Sequence, residues 1–139
     1  MEYLILIYAD EARYAAMPDE QMASLMADFA SYTQALEAAG VLRGGAELAP
    51  VASATSVRVR NGKPVITDGP FAETKEQLGG YYLLACANLD EALAWAGRCP
   101  VASLGTIEVR PVTAQTWPAT PLRPSSTSFA RKRAGCWRA

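Results

Sequence analysis

The residues with the most chemical potential lie together in Asp68-Gly69-Pro70-Phe71-Ala72-Glu73-Thr74-Lys75-Glu76-Gln77-Leu78-Gly79-Gly80-Tyr81, which sets four charges among turn residues and a glycine pair. A carboxylate held at a strand end can move a proton, so Asp68 and Glu73 are the expected acid or base. Lys75 is the group expected to steady developing negative charge. Phe71 and Tyr81 would desolvate the carboxylate and raise its pKa, a shift that neighbouring Lys75 would oppose, and Glu76 and Gly80 complete the expected lining. The chain holds no histidine, which removes the commonest general base, the usual zinc ligand and every Ser-His or Cys-His nucleophile pair. Asp68, Glu73 and Glu76 have the chemistry of a hard-cation site, but the ammonium of Lys75 in their midst opposes it, so no metal is expected.

The same residues have a plainer reading. Asp, Gly and Pro in succession make a turn: the carboxylate accepts local hydrogen bonds, Gly permits positive φ, and Pro fixes the next φ. Gly79-Gly80 ahead of a strand is either a bend or a place where a ligand approaches backbone. Residue types alone leave these readings open. Neither glycine pair sits in a GxGxxG or GxxxxGK[ST] frame, so no nucleotide fingerprint is present and no cofactor is expected.

Further polar side chains alternate with apolar ones in two extended runs: Arg58 and Arg60 against Val57 and Val59, and Glu108 and Arg110 against Ile107 and Val109. On a solvated sheet they are a wet face. On a sheet enclosed by a partner, Arg58, Glu108 and Arg110 become pocket residues in need of pairing. Tyr8 at a strand end and Tyr32 on a helix are either core aromatics or contributors to the same cavity.

The elements that must position these groups follow from periodicity. Tyr3 to Tyr8 is short, β-branched and aromatic, and apolar on both faces, as is Tyr81 to Ala87. Pro18 opens a long helix with Asp19 and Glu20 in its first turn, an apolar stripe of Met22, Leu25, Met26, Phe29, Thr33 and Leu36, and Gly40 as its stop. Val41 to Leu48 is a Gly-broken extended piece. Thr55 to Arg60 and Pro64 to Thr67 flank Asn61-Gly62, a strong hairpin signal. Asn88 with Glu91 opens a short helix that ends before Pro100, and Thr106 to Arg110 is the last strand. The order predicts an α+β, ferredoxin-like split βαβ fold with an antiparallel sheet and two helices on one face. Two helices leave the other sheet face bare, so a homodimer is expected to cover it.

Bulk properties set the remaining bounds. At 139 residues with 50% hydrophobic content the chain suits one globular domain. Residues 1–112 carry 8 Lys and Arg against 14 Asp and Glu, net −6, whereas 113–139 carry 5 basic residues and no acid. The first part is the expected domain; the second is a basic Pro/Ser-rich stretch expected to be disordered. Nucleic acid is unexpected as a partner except through that stretch, because the domain repels phosphate. No apolar run is long enough for a membrane span and the N-terminus lacks a secretion signal, so a cytoplasmic location is expected. Cys86, Cys99 and Cys136 form no CxxC pair and read as reduced thiols.

With these residues laid out, Asp68-Gly69-Pro70-Phe71 followed by Glu73, Lys75, Glu76 and Leu78-Gly79-Gly80-Tyr81 resembles the signature of the DGPF subgroup of the YCII-related proteins. Tyr3 to Tyr8, the helix end at Gly40-Val41-Leu42 and Gly105 to Pro111 extend the likeness over residues 1–112. The resemblance implies a ferredoxin-like protomer paired into a dimeric α+β barrel, a cleft serving as active site, and a bacterial cytoplasmic protein. It further implies a His-Asp pair that this chain cannot supply, and a link to extracytoplasmic-function sigma factors. Two functions are therefore expected in competition: a cofactor-independent enzyme acting through Asp68 or Glu73, and a ligand-sensing or regulatory module that binds an unknown small molecule without chemistry.

Overall fold

A computed structural model of the chain describes residues 1–114. Its elements are β1 (Glu2–Ala9), α1 (Glu11–Ala15), α2 (Asp19–Ala38), β2 (Leu42–Glu47), β3 (Thr55–Arg60), β4 (Lys63–Asp68), β5 (Gln77–Ala85), α3 (Leu89–Arg98) and β6 (Thr106–Pro111). β2, β5, β1 and β6 form one sheet in that order, every neighbouring pair antiparallel. β1-α2-β2 and β5-α3-β6 each join two strands across an intervening third, which is the split βαβ of a ferredoxin-like α+β fold. The segment from residue 115 onward, where most of the expected basic tail falls, lies outside the described residues.

Alternation in β1 decides which face is covered. Tyr3, Ile5, Ile7 and Ala9 are buried, and their register partners Leu84, Tyr82, Val109 and Ile107 lie on the same side. Tyr32 and Leu36 of α2 and Ala92 and Ala96 of α3 close over them to form the core. The two alanines are one turn apart and small, which lets α3 come close to the sheet. Ile5, Leu36, Leu84 and Val101 are the largest fully buried side chains. Each contributes roughly 1.5 to 3 kcal/mol before the opposing chain entropy.

The helix ends carry their signals. Asn88 Oδ1 accepts from the Glu91 amide at 2.9 Å, and the Glu91 carboxylate reaches back to the Ala87 amide at 2.6 Å, a reciprocal cap one residue wider than expected. At the end of α2, Gly40 adopts φ 70°, its amide donates to Glu37 O at 2.9 Å, and the Val41 amide donates to Leu36 O at 3.2 Å. Those two bonds are the Schellman stop, which a left-handed glycine makes possible.

Three details differ from the sequence expectation. Met26 is 45% exposed, and the buried residues of α2 are Leu25, Tyr32 and Leu36, the Tyr32 hydroxyl being satisfied by Trp95 O. β5 begins at Gln77, four residues before Tyr81, so Gly79 and Gly80 lie inside the strand. A five-residue helix, α1, follows β1 where only a loop was expected; Asp10 caps it by accepting from the Ala12 amide at 3.0 Å.

β3 and β4 form a separate two-stranded ribbon. Asn61 at φ 52° and Gly62 at φ 74° make the left-handed pair a two-residue hairpin requires. Every ribbon-strand residue except Ser56 is exposed. In the main sheet, the pairing of β2 with β5 skips at Arg43, between Leu42 and Gly44, and Arg43 Nη1 donates to Gly40 O and Leu42 O at 3.0 and 3.2 Å.

The core also predicts an alkaline response. Tyr32 donates to Trp95 O at 2.9 Å and meets the Tyr82 and Trp95 rings edge-on at 5.4 and 6.4 Å. Burial first, then the nearby Cys99 thiol, pushes its hydroxyl well above the ordinary value of 10.0. The folded state thus holds this proton more tightly than the unfolded state, so its stabilisation is complete below about pH 10 and is lost as pH climbs beyond. Tyr32→Phe is expected to flatten the fall in urea-unfolding stability between pH 9.5 and 11. A slope equal to wild type would mean that other groups, such as the raised Tyr14 and Tyr82 hydroxyls, carry the response.

Candidate functional site

Two surfaces hold the residues singled out from sequence. The first is the sheet face opposite the helices, where Leu4, Leu6 and Tyr8 of β1 stand beside Leu83, Tyr81 and Leu78 of β5. Arg110 and Glu108 of β6 lie opposite Leu4 and Leu6. All six apolar and aromatic side chains are half-buried within the protomer. Glu108 Oε1 accepts from Arg110 Nε at 3.1 Å and pairs with its Nη2, so the two charges satisfy each other locally. Solvent-exposed, this pair adds little to stability; beneath a partner it would be a neutralised polar edge on an apolar floor.

The second surface is the elbow that returns the ribbon to the sheet. Asp68 ends β4 opposite Thr55 and is exposed. Gly69, at φ 96°, donates to Ala54 O at 2.7 Å, and Ser56 Oγ donates to Gly69 O at 2.8 Å, so backbone and hydroxyl lock the turn. Beside it lies an open hollow of about 320 Å³ lined by Ser56, Val57, Arg58 and Phe71. Phe71 is 81% exposed. Glu73 and Lys75 are exposed and Glu76 is half-buried. Among the described residues no charge pair other than Glu108 with Arg110 comes within 4.0 Å, and no cluster of three acidic, cysteine or histidine ligands could hold a metal ion.

The two surfaces join where Gln77 pairs with Ala9, at the Tyr8 end of the sheet. Residues that carried no signal in the sequence make the joint. Gln77 Oε1 accepts from the Glu11 amide at 3.0 Å while its Nε2 donates to Thr74 O at 2.6 Å; Glu11 Oε1 accepts from the Val51 amide at 2.9 Å. This clamp ties the helical turn of Val51–Ser53, which leads into the ribbon, and the segment returning from the ribbon to one point. Glu11 looked like any polar residue after a strand, and its partners lie 40 and 66 positions away.

Two of the expected lining residues stand elsewhere. Tyr32 is in the core, on the helix side of the sheet, its hydroxyl committed to Trp95. Gly80 faces the same side opposite Ile7, and a Cβ there would sit 2.9 Å from Ala46 O, so its bareness serves the approach of β2 to β5. Arg58 lies on the ribbon, in a sheet separate from the one that carries Glu108 and Arg110.

A model of the YCII-related domain matches residues 1–116. An uncharacterised protein of Rhizobium meliloti (strain 1021) is 42% identical over 114 residues, covering 81% of this chain and 92% of that relative. No helix among the described residues is long and apolar enough to cross a membrane.

Proposed function

Because the chain belongs to the YCII-related family, we propose that it is a cytoplasmic, homodimeric small-molecule-binding protein of the DGPF type. The observation that carries this reading is the hollow beside the locked elbow, which sets a guanidinium, Arg58, and an aromatic plane, Phe71, around a space of about 320 Å³. That size is at the low end for ligand pockets. A guanidinium offers a two-pronged contact to a carboxylate or phosphate, and the ring offers a stacking surface, so the fitting ligand is a small planar anion. The homodimer supplies the cover that the bare sheet face lacks and completes a dimeric α+β barrel.

In the catalytic form of this reading, Asp68 or Glu73 takes or gives a proton on the bound anion and Lys75 steadies the charge that develops. Exposure of both carboxylates favours a second form, binding without turnover, in which the protein senses its ligand for sigma-factor-type transcription control. A metabolite library scanned by thermal shift, with mass analysis of each hit, separates the two: an intact ligand supports sensing and a product supports catalysis. Arg58→Ala is expected to weaken binding of an anionic hit by roughly 10- to 100-fold, the worth of a charge-assisted hydrogen bond. Asp68→Asn is expected to retain binding and abolish any turnover; persisting turnover would eliminate Asp68 as the base.

A further inference from the structure

Beyond Leu48, whose amide donates to Gly79 O at 2.9 Å, the chain leaves the main sheet and rejoins it at Gln77, opposite Ala9. The excursion between carries all the residues that line the hollow, yet β3 and β4 pack on no other element to an extent comparable with their packing on each other. A two-stranded hairpin so placed has no core beneath it to fix its direction. Its own geometry is closed all the same. β3 and β4 pair without interruption from Thr55 with Asp68 to Arg60 with Lys63, and the bonds of Gly69 to Ala54 and of Ser56 to Gly69 lock the root. The ribbon and the Arg58 wall of the hollow are therefore one stiff lever, and what remains to be set is the direction in which it stands.

The anchor for that direction is Glu11. On the entering side the chain turns at Val51–Ser53, where Pro50 at the N-cap makes no side-chain hydrogen bond, so the first amide of the turn has no local acceptor. Glu11 Oε1 takes that amide at 2.9 Å from 40 positions away. On the returning side Phe71 hangs between the locked Gly69 and Thr74, whose carbonyl is held by Gln77 Nε2 at 2.6 Å. Gln77 Oε1 accepts from the Glu11 amide at 3.0 Å, so both tethers meet at one point where β1 and β5 end their pairing. The other side-chain hydrogen bonds of residues 49–76, Ser53 to Pro50, Ser56 to Gly69 and Thr74 to Glu76, stay inside the excursion. Among the described residues no ion pair joins it to the rest of the chain.

We propose that Glu11 is the positioning residue of the hollow: its carboxylate latches the ribbon, and with it Arg58, at one attitude to the sheet. Without that acceptor the lever swings about residues 49–50 and 70–76. Walls held in place before a ligand arrives lose less order when it binds, so the latch pre-organises the site. The inference rests on the small-molecule reading for what the hollow receives and specifies what holds it ready.

The test reads the attitude of the ribbon in the full chain with no ligand added. Spin labels are placed at Lys63→Cys beside the ribbon turn and at Gln34→Cys on the exposed side of α2, in a background of Cys136→Ser; Cys86 and Cys99 are buried. Labelled chain is diluted with unlabelled chain, so that each measured pair lies within one copy. The wild-type distance distribution is expected to be single and narrow, and Glu11→Ala or Glu11→Ser to widen it about twofold or more, with helical circular dichroism unchanged. Glu11→Gln keeps a carbonyl oxygen within reach of the Val51 amide and is expected to retain the wild-type width. Equal widths in wild type and Glu11→Ala overturn the latch, whether both are narrow or both broad, as does Glu11→Gln as wide as Glu11→Ala. Loss of the fold in both the alanine and serine variants makes Glu11 structural and overturns it too. A latch that fails this test leaves the small-molecule reading standing, and that reading is tested separately by Arg58→Ala.

Discussion

Replacing Gly105 with alanine is expected to cost the fold about 3 kcal/mol or more, at the upper end of what overpacking does. Gly105 lies just before β6, its amide donating to Val101 O at 2.8 Å. A Cβ there would stand 2.1 Å from Tyr8 O and 3.2 Å from both Ala9 Cα and Ala9 Cβ. The nearest obstacle is backbone of the central strand, which has no side-chain rotamer with which to retreat. Either the turn opens or β6 lifts from β1 at the Tyr8 to Thr106 pairing, and each lost strand hydrogen bond adds about 1 kcal/mol. Gly97→Ala is the control. No atom lies within 4 Å of its Cβ position in α3, so that change is expected to stabilise by about 0.5 to 1 kcal/mol. Urea midpoints compare the two; a Gly105→Ala chain as stable as wild type would show that β1 and β6 do not approach this closely in solution.

In the proposed homodimer, Leu83→Glu is expected to separate the two copies into folded protomers. Leu83 stands on the bare sheet face between Gly44 and Leu4, in an interior strand, pointing away from the helix-side core. Beneath a partner, a carboxylate at this position is cut off from water and has only apolar neighbours across the adjoining strand. An uncompensated buried charge costs about 3 to 5 kcal/mol, and the two-fold axis places one in each half, so the dissociation constant is expected to rise about a thousandfold or more. Because the core uses the opposite face, the monomer that results is expected to keep its circular dichroism. Leu83→Met, close in volume, is expected to sediment as wild type does. A Leu83→Glu chain that remains dimeric at the wild-type concentration would mean that the second copy binds elsewhere.

The sequence spoke most clearly where a local rule decides the outcome alone. Asn61-Gly62 dictated a left-handed pair, Gly40 a helix stop, and Asn88 with Glu91 a helix start, because each depends on neighbours within four or five residues. The double-sided apolarity of Tyr3 to Tyr8 correctly marked a strand with one face on the helices. What stayed illegible depends on partners far along the chain. Five residues of α1 span too little to show a period, and its Asp10 cap had no flanking stripe to announce it. Residue type left Tyr32 open between core and cavity; its hydrogen bond to Trp95, 63 positions away, and its ring contact with Tyr82 put it in the core. Within the candidate site, the Asp68 turn was legible from residue types. The clamp of Glu11, Gln77 and Thr74 joins the first residue of α1, the first residue of β5 and the loop before it, and leaves no local pattern in the sequence.

The skip at Arg43 reaches beyond this protomer. β2 is an outer rim of the sheet, where unpaired amides and carbonyls would ordinarily recruit another strand and begin an open-ended stack. With its spacing broken between Leu42 and Gly44 and a guanidinium folded over the Gly40 and Leu42 carbonyls, that rim offers no regular template for fibril growth. A strand added along β2 would meet this break, so lateral growth at that edge of the sheet is disfavoured.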